Sequence, residues 1–270
     1  MKKFGIFGIG ILFLMPNLIF ASIAHDASSY NSWNTASSQT WSHTISGSDN
    51  FLIVYGWVGN GSDVVSSVTY NGDSMTRLND VVTYNGGGNR GYIYYIFAPD
   101  TGTHNIVATL SSSYNSVWLG ESYTGASQST FPDGYSESGG DGSSNNYSTN
   151  ITTTGDNSWA IGFATGLDAV CTAGSGTTMR TTSNPMSSDS GGGISPAGTA
   201  TLAYTSCGNR VEDKMMMGVF VATSSSLVLA TTSPFATTTI YYHDWLLVNS
   251  IIIGLLAFVP IGFLLSPLKT

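Results

Sequence analysis

The sequence predicts an all-β domain, a two-sheet antiparallel sandwich of jelly-roll type, set between an N-terminal signal peptide and one C-terminal transmembrane helix. Three observations carry that expectation. Between residues 25 and 222, short apolar runs and period-2 alternation recur with no convincing amphipathic helix. Turn signals separate the runs, Asn71-Gly72 being the strongest. Only 9% of residues are charged, so Ser, Thr, Asn and Gly must carry solubility, and Thr favours strands while Gly and Asn favour tight turns.

Residues 1–24 read as the signal peptide. Met1-Lys2-Lys3 is followed by an apolar run from Phe4 to Phe20 and then by Ala21-Ser22-Ile23-Ala24, with Ser22 and Ala24 at the −3 and −1 positions. Cleavage after Ala21 is a second option, and an uncleaved membrane helix is the competing reading.

Residues 25–222 form the expected extracytoplasmic domain. Trp41, His43 and Ile45 share one strand face, with Ser42 and Thr44 on the other. Phe51 to Val58 is apolar on both faces, as in a central strand. Val64 to Tyr70 meets the Asn71-Gly72 turn, Ser74 to Leu78 follows, and Tyr84-Asn85-Gly86 opens a second turn before Tyr92 to Phe97. Further strands are expected over His104 to Leu110, Val117 to Thr124, Trp159 to Thr165, Thr199 to Thr205 and Met215 to Ala222. The Ser/Gly/Asn-rich stretches 132–146 and 174–193 read as long loops, and a closed barrel is the alternative architecture.

Residues 223–244 read as a Ser/Thr-rich stalk. Residues 245–265 carry no charge, and a helix of that length spans ~31 Å, the thickness of a bilayer's hydrocarbon core. Tyr241, Tyr242 and Trp245 suit the outer headgroup region, while Lys2, Lys3 and Lys269 fall on the cytoplasmic side. Residues 266–270 are the expected cytoplasmic tail, too short for a signalling domain. Location is thus expected at the cell membrane, single-pass, with the domain outside.

Charge excludes one class of partner. Without the three terminal lysines the exported part has 5 basic and 16 acidic residues, a net of −11, which repels phosphate backbones and argues against nucleic acid. Cys171 and Cys207, an even count in an oxidising compartment, are expected to form one disulfide.

Thr40-Trp41-Ser42-His43-Thr44, Val68-Thr69-Tyr70-Asn71-Gly72, Met75-Thr76, Ala98-Pro99-Asp100-Thr101-Gly102-Thr103-His104 and Tyr123-Thr124-Gly125-Ala126 together resemble a β-sandwich domain of predicted bacterial and phage surface proteins. The resemblance covers roughly residues 38–128. It implies a surface module and brings no catalytic motif.

Candidate chemistry is sparse. Gly72-Asp73-Ser74 looks like an esterase nucleophile motif, but the hairpin turn accounts for it. No nucleophile elbow or His-Glu-x-x-His motif exists. His43 is expected to be buried and hydrogen-bonded, and His104 solvated. Glu121 alternates with Leu119 and Tyr123, so it is expected to point inward, where a carboxylate needs a partner or a raised pKa. Asp133, Glu137 and Asp141 recur every four residues in a Gly-rich loop, a candidate structural Ca²⁺ site. The aromatic strands offer Tyr55, Trp57, Tyr92 and Tyr94 as ligand-binding candidates. An outward aromatic face would stack on sugar rings or pack on a surface protein; an inward one would be core.

Two functions follow as expectations. One is a membrane-anchored, non-catalytic surface module for adhesion, glycan binding or envelope structure. The alternative is a membrane-tethered glycan-active hydrolase that pairs Glu121 with Asp133 or Asp141.

Overall fold

The computed structural model describes residues 22–82, 88–140, 146–165, 171–182, 185–207 and 214–221. Most of the leader, the Tyr84-Asn85-Gly86 turn, Asp141, the stalk, the 245–265 span and the tail lie outside the described residues. Among the described residues there are fifteen strands and no helix, and all pairings are antiparallel. The all-β expectation therefore holds.

One long strand organises the first sheet. β7 (Gly102–Thr124) pairs along one edge with β1 (Ala24–Ile45). Its other edge is divided: β3 (Val65–Tyr70) takes the Ile106–Leu110 half, and β2 (Phe51–Val58) takes Ser116–Tyr123. The β1–β7 register slips between Ala36 and Ser38, whose partners are Tyr114 and Thr109, so a bulge separates the halves. The two strands expected at 104–110 and 117–124 are thus one strand. With β4 (Asp73–Ser74), β5 (Thr76–Val82) and β6 (Arg90–Phe97), the sheet runs β4-β3-β7-β2-β6-β5 and is nearly closed. At the β3–β4 turn, Asn71 and Gly72 both adopt positive φ (51° and 90°), as a two-residue hairpin of this sequence requires.

All eight residues of β2 are buried, because each face meets a different core. Leu52, Val54 and Val58 join Trp41, Tyr70, Tyr92 and Trp118 inside the nearly closed sheet. Phe51, Ile53, Tyr55 and Trp57 join Leu119, Tyr123 and Phe163 on the other side. The Trp118 indole lies over Gly56, where an added Cβ would sit 2.2 Å from the ring.

The rest of the domain forms a five-stranded sheet, β12-β13-β10-β15-β8, and a three-stranded sheet, β11-β14-β9. Their strands are β8 (Tyr135–Gly140), β9 (Tyr147–Thr152), β10 (Trp159–Thr165), β11 (Thr172–Ala173), β12 (Thr178–Thr181), β13 (Met186–Asp189), β14 (Thr199–Thr205) and β15 (Lys214–Val221). β10 alternates large and small side chains. Trp159, Ile161 and Phe163 enter the β2 core, with Tyr55 and Phe163 stacked at 5.3 Å. On the other face Gly162 closes on Leu202 of β14, leaving 2.8 Å for a Cβ. The stretches expected as long loops instead supply β8, β12 and β13, because pairing with β15 and β10, and of β12 with β13, makes strands of Ser/Gly-rich segments that carry no apolar alternation of their own. Cys171 and Cys207 form the expected disulfide, buried with Met186 and Tyr204.

The folded unit also begins earlier than residue 25. Ala24 already pairs with Thr124, and Ile23 is buried in the β2 core.

Candidate functional site

The densest buried chemistry surrounds Glu121. Its strand neighbours Leu119 and Tyr123 face the β2 core, and period-2 alternation carries the carboxylate inward with them, where it is fully buried. β1 supplies two partners from the same side. Residues three apart on a regular strand lie on opposite faces, but the register shift between His25 and Ala27 brings His25 and Ser28 to one face. Ser28 Oγ donates to Glu121 Oε2 at 2.6 Å, and His25 Nε2 lies 2.8 Å from the same oxygen. From β13, Ser187 donates its hydroxyl to Oε1.

A second buried acid, Asp189, stands two residues along β13 from Ser187. Arg180 of β12 grips it with Nε at 2.5 Å and a second guanidinium nitrogen at 2.9 Å; Tyr123 Oη donates to Oδ2 at 3.2 Å and the Gly191 N–H to Oδ1 at 2.8 Å. Arg180 also lies over the Trp159 ring at 5.9 Å. Burial, with the Asp189 charge next in weight, pushes the Tyr123 phenol well above its ordinary range. That keeps the phenol protonated and donating.

This arrangement ties strands together and departs from two known catalytic geometries. A serine–histidine–acid relay needs the acid and the serine on different imidazole nitrogens. Here Ser28 Oγ (3.2 Å) and Glu121 share Nε2, and the serine hydroxyl donates its hydrogen bond to the carboxylate. A glycosidase needs a carboxyl open to the sugar; Glu121 and Asp189 have no exposed surface, and both hold donors on both oxygens.

The other face of β1 and β7 carries a second polar set. The Trp41 indole N–H donates to Ser29 Oγ at 3.0 Å, and His43 Nδ1 lies 2.8 Å from the same oxygen. His43 is buried as expected; burial lowers its pKa to about 4, against the pull of Asp26. Burial pushes the Asp26 pKa up, but the Ser46 hydroxyl and N–H and the Ser122 hydroxyl outweigh it and leave it lowered.

The remaining candidates are separated by the fold. Tyr55 and Trp57 lie in the β2–β10 core, while Tyr92 and Tyr94 lie inside the nearly closed sheet. All four are buried and they occupy opposite faces, so they form no outward platform. Asp133 is used locally: its carboxylate accepts from the hydroxyls of Thr153, Thr154 and Ser158 and from the N–H groups of Thr154 and Gly155. Glu137 is exposed and accepts from Tyr135 Oη at 2.5 Å. Among the described residues no group of three His, Cys, Asp or Glu side chains is placed to hold a metal ion.

A shallow recess of about 400 Å³ lies at the β3–β4 hairpin, lined by Thr69, Asn71, Thr103, His104, Asn105 and Val107. Its floor is fixed from below. Tyr70 Oη donates to the Asp100 and Gly102 carbonyls, and Asn71 Nδ2 donates to Asp100 Oδ2 at 2.8 Å.

Fold and site together define an all-β, disulfide-bonded domain in which Glu121 and Asp189 are buried and hydrogen-bonded. No protein-family model matches the chain, and no curated protein or solved structure shows significant similarity to it.

Proposed function

We propose that this chain is a membrane-anchored, non-catalytic cell-surface module, its domain held outside as a jelly-roll-like sandwich for adhesion, glycan binding or envelope structure. The recess at the β3–β4 hairpin supports the glycan branch. Its lining offers hydroxyl, amide and imidazole groups on a braced backbone and includes no carboxylate. Such groups exchange hydrogen bonds with a polyhydroxyl ligand, and an open, shallow shape suits a chain that continues past the site. The acidic balance of the domain argues against nucleic acid as a partner. The glycan-active alternative is weakened by Glu121, whose oxygens already hold three side-chain partners.

A glycan array probed with the detergent-solubilised chain, with calcium and again with chelator, tests the reading. Specific binding that Asn105→Ala abolishes is the expected result. Turnover of glycans or esters at enzymatic rates would overturn it.

A further inference from the structure

We infer that the leader is cut between Ala21 and Ser22, so that the mature chain begins at Ser22; the inference rests on the exported reading above. The −3/−1 pattern of small residues at Ser22 and Ala24 points instead to a cut after Ala24, with Ala21 as the second option. The fold separates the two.

Three features make residues 22–24 part of the domain. Ile23 is only 3% exposed and belongs to the core built by Phe51, Tyr123, Ala126 and Trp159. Ala24 stands opposite Thr124 in the β1–β7 ladder. The Ser22 carbonyl lies against Gly125, where a Cβ would come within 2.4 Å of the oxygen; Gly125 also has φ +66°. The strand end and the turn that receives it are shaped to one another.

Cutting after Ala24 would remove a core side chain and the first ladder pair. Cutting after Ala21 leaves the new N-terminal charge on Ser22, which is exposed. Leader removal precedes folding, so the fold bears on the product: a chain trimmed at Ala24 lacks Ile23 at this end of the core. Chemically the step is hydrolysis by a leader-processing protease. Water adds across the Ala21–Ser22 peptide bond, leaving a carboxylate on Ala21 and an ammonium on Ser22.

N-terminal sequencing of the full chain, recovered from the membrane fraction of an exporting bacterial host, reads the outcome directly. A Ser22 start is expected, and Ala24→Leu, which blocks the competing site at an exposed position, is expected to leave that start and the yield unchanged. A His25 start, or loss of processing in Ala24→Leu, would overturn the inference while the exported reading stands. An intact Met1 end would overturn the cut and favour the uncleaved membrane helix, which leaves export itself standing.

Discussion

His25 Nε2 lies 2.8 Å from Glu121 Oε2 across 96 residues of sequence, and Ser28 reaches the same oxygen only because a bulge turns it to His25's side of β1. With Ser187 approaching from β13, one carboxylate ties together three strands from two sheets. That relationship sets the first prediction.

Glu121→Ala leaves two hydroxyls and an imidazole without their acceptor in a buried place. A loss of about 3–5 kcal/mol is expected, read from urea unfolding. If Glu121 were catalytic instead, the variant would keep its stability and lose a turnover.

Acid should weaken the fold through His43. Its folded pKa, about 4, lies below the unfolded value near 6.5, so the unfolded chain binds the proton more readily between them. The contribution is full above about 6.5, declines as pH falls through that window, and is gone near 4; it amounts to ~3 kcal/mol at most. Asp26, also lowered, adds a loss of the same sign further into acid, below its ordinary value of 3.8. Unfolding midpoints of His43→Gln should lack the step between 6.5 and 4.

Two glycines separate crowding from backbone conformation. Gly56→Ala would drive a methyl into the Trp118 ring and cost about 1–3 kcal/mol or more. Gly72→Ala has open space around it and suffers only from φ +90°, about 1 kcal/mol. Thermal melts should therefore rank Gly56→Ala well below Gly72→Ala.

Replacing Cys171 and Cys207 together by serine should lower stability by about 3–4 kcal/mol, from loss of a loop constraint across 36 residues. Added reductant should move the wild-type melt to the same place.

Asp133→Ala removes the acceptor that holds the 153–158 turn, costing about 2 kcal/mol. Calcium or chelator should leave the wild-type melt unchanged, since the Asp133 oxygens already accept from five protein donors.

Much of the fold was legible. The strands at 51–58, 159–165 and 199–205 follow from alternation and from β-branched and aromatic residues, and the Asn71-Gly72 turn from its chemistry. β12 and β13 were not, because Thr178–Thr181 and Met186–Asp189 sit in a Ser/Gly-rich stretch that reads as loop. Asp189 was missed with them. Ser187 and Asp189 lie on alternate positions of a four-residue strand, a signal too short to see without knowing the strand exists. Glu121 was legible because Leu119 and Tyr123 flank it at period 2, whereas its partners were not.

The sequence by itself determined the all-β class, the main strands, the hairpin at Asn71-Gly72 and the inward direction of Glu121, because local alternation and turn chemistry act over a few residues. Only the tertiary structure decided that β2 is buried on both faces, that Tyr55 and Tyr92 lie in different cores, and that His25, Ser28 and Ser187 meet at Glu121. Those outcomes depend on strand pairing and on one bulge, and pairing between distant segments is set by the packing of the whole chain rather than by any window of it.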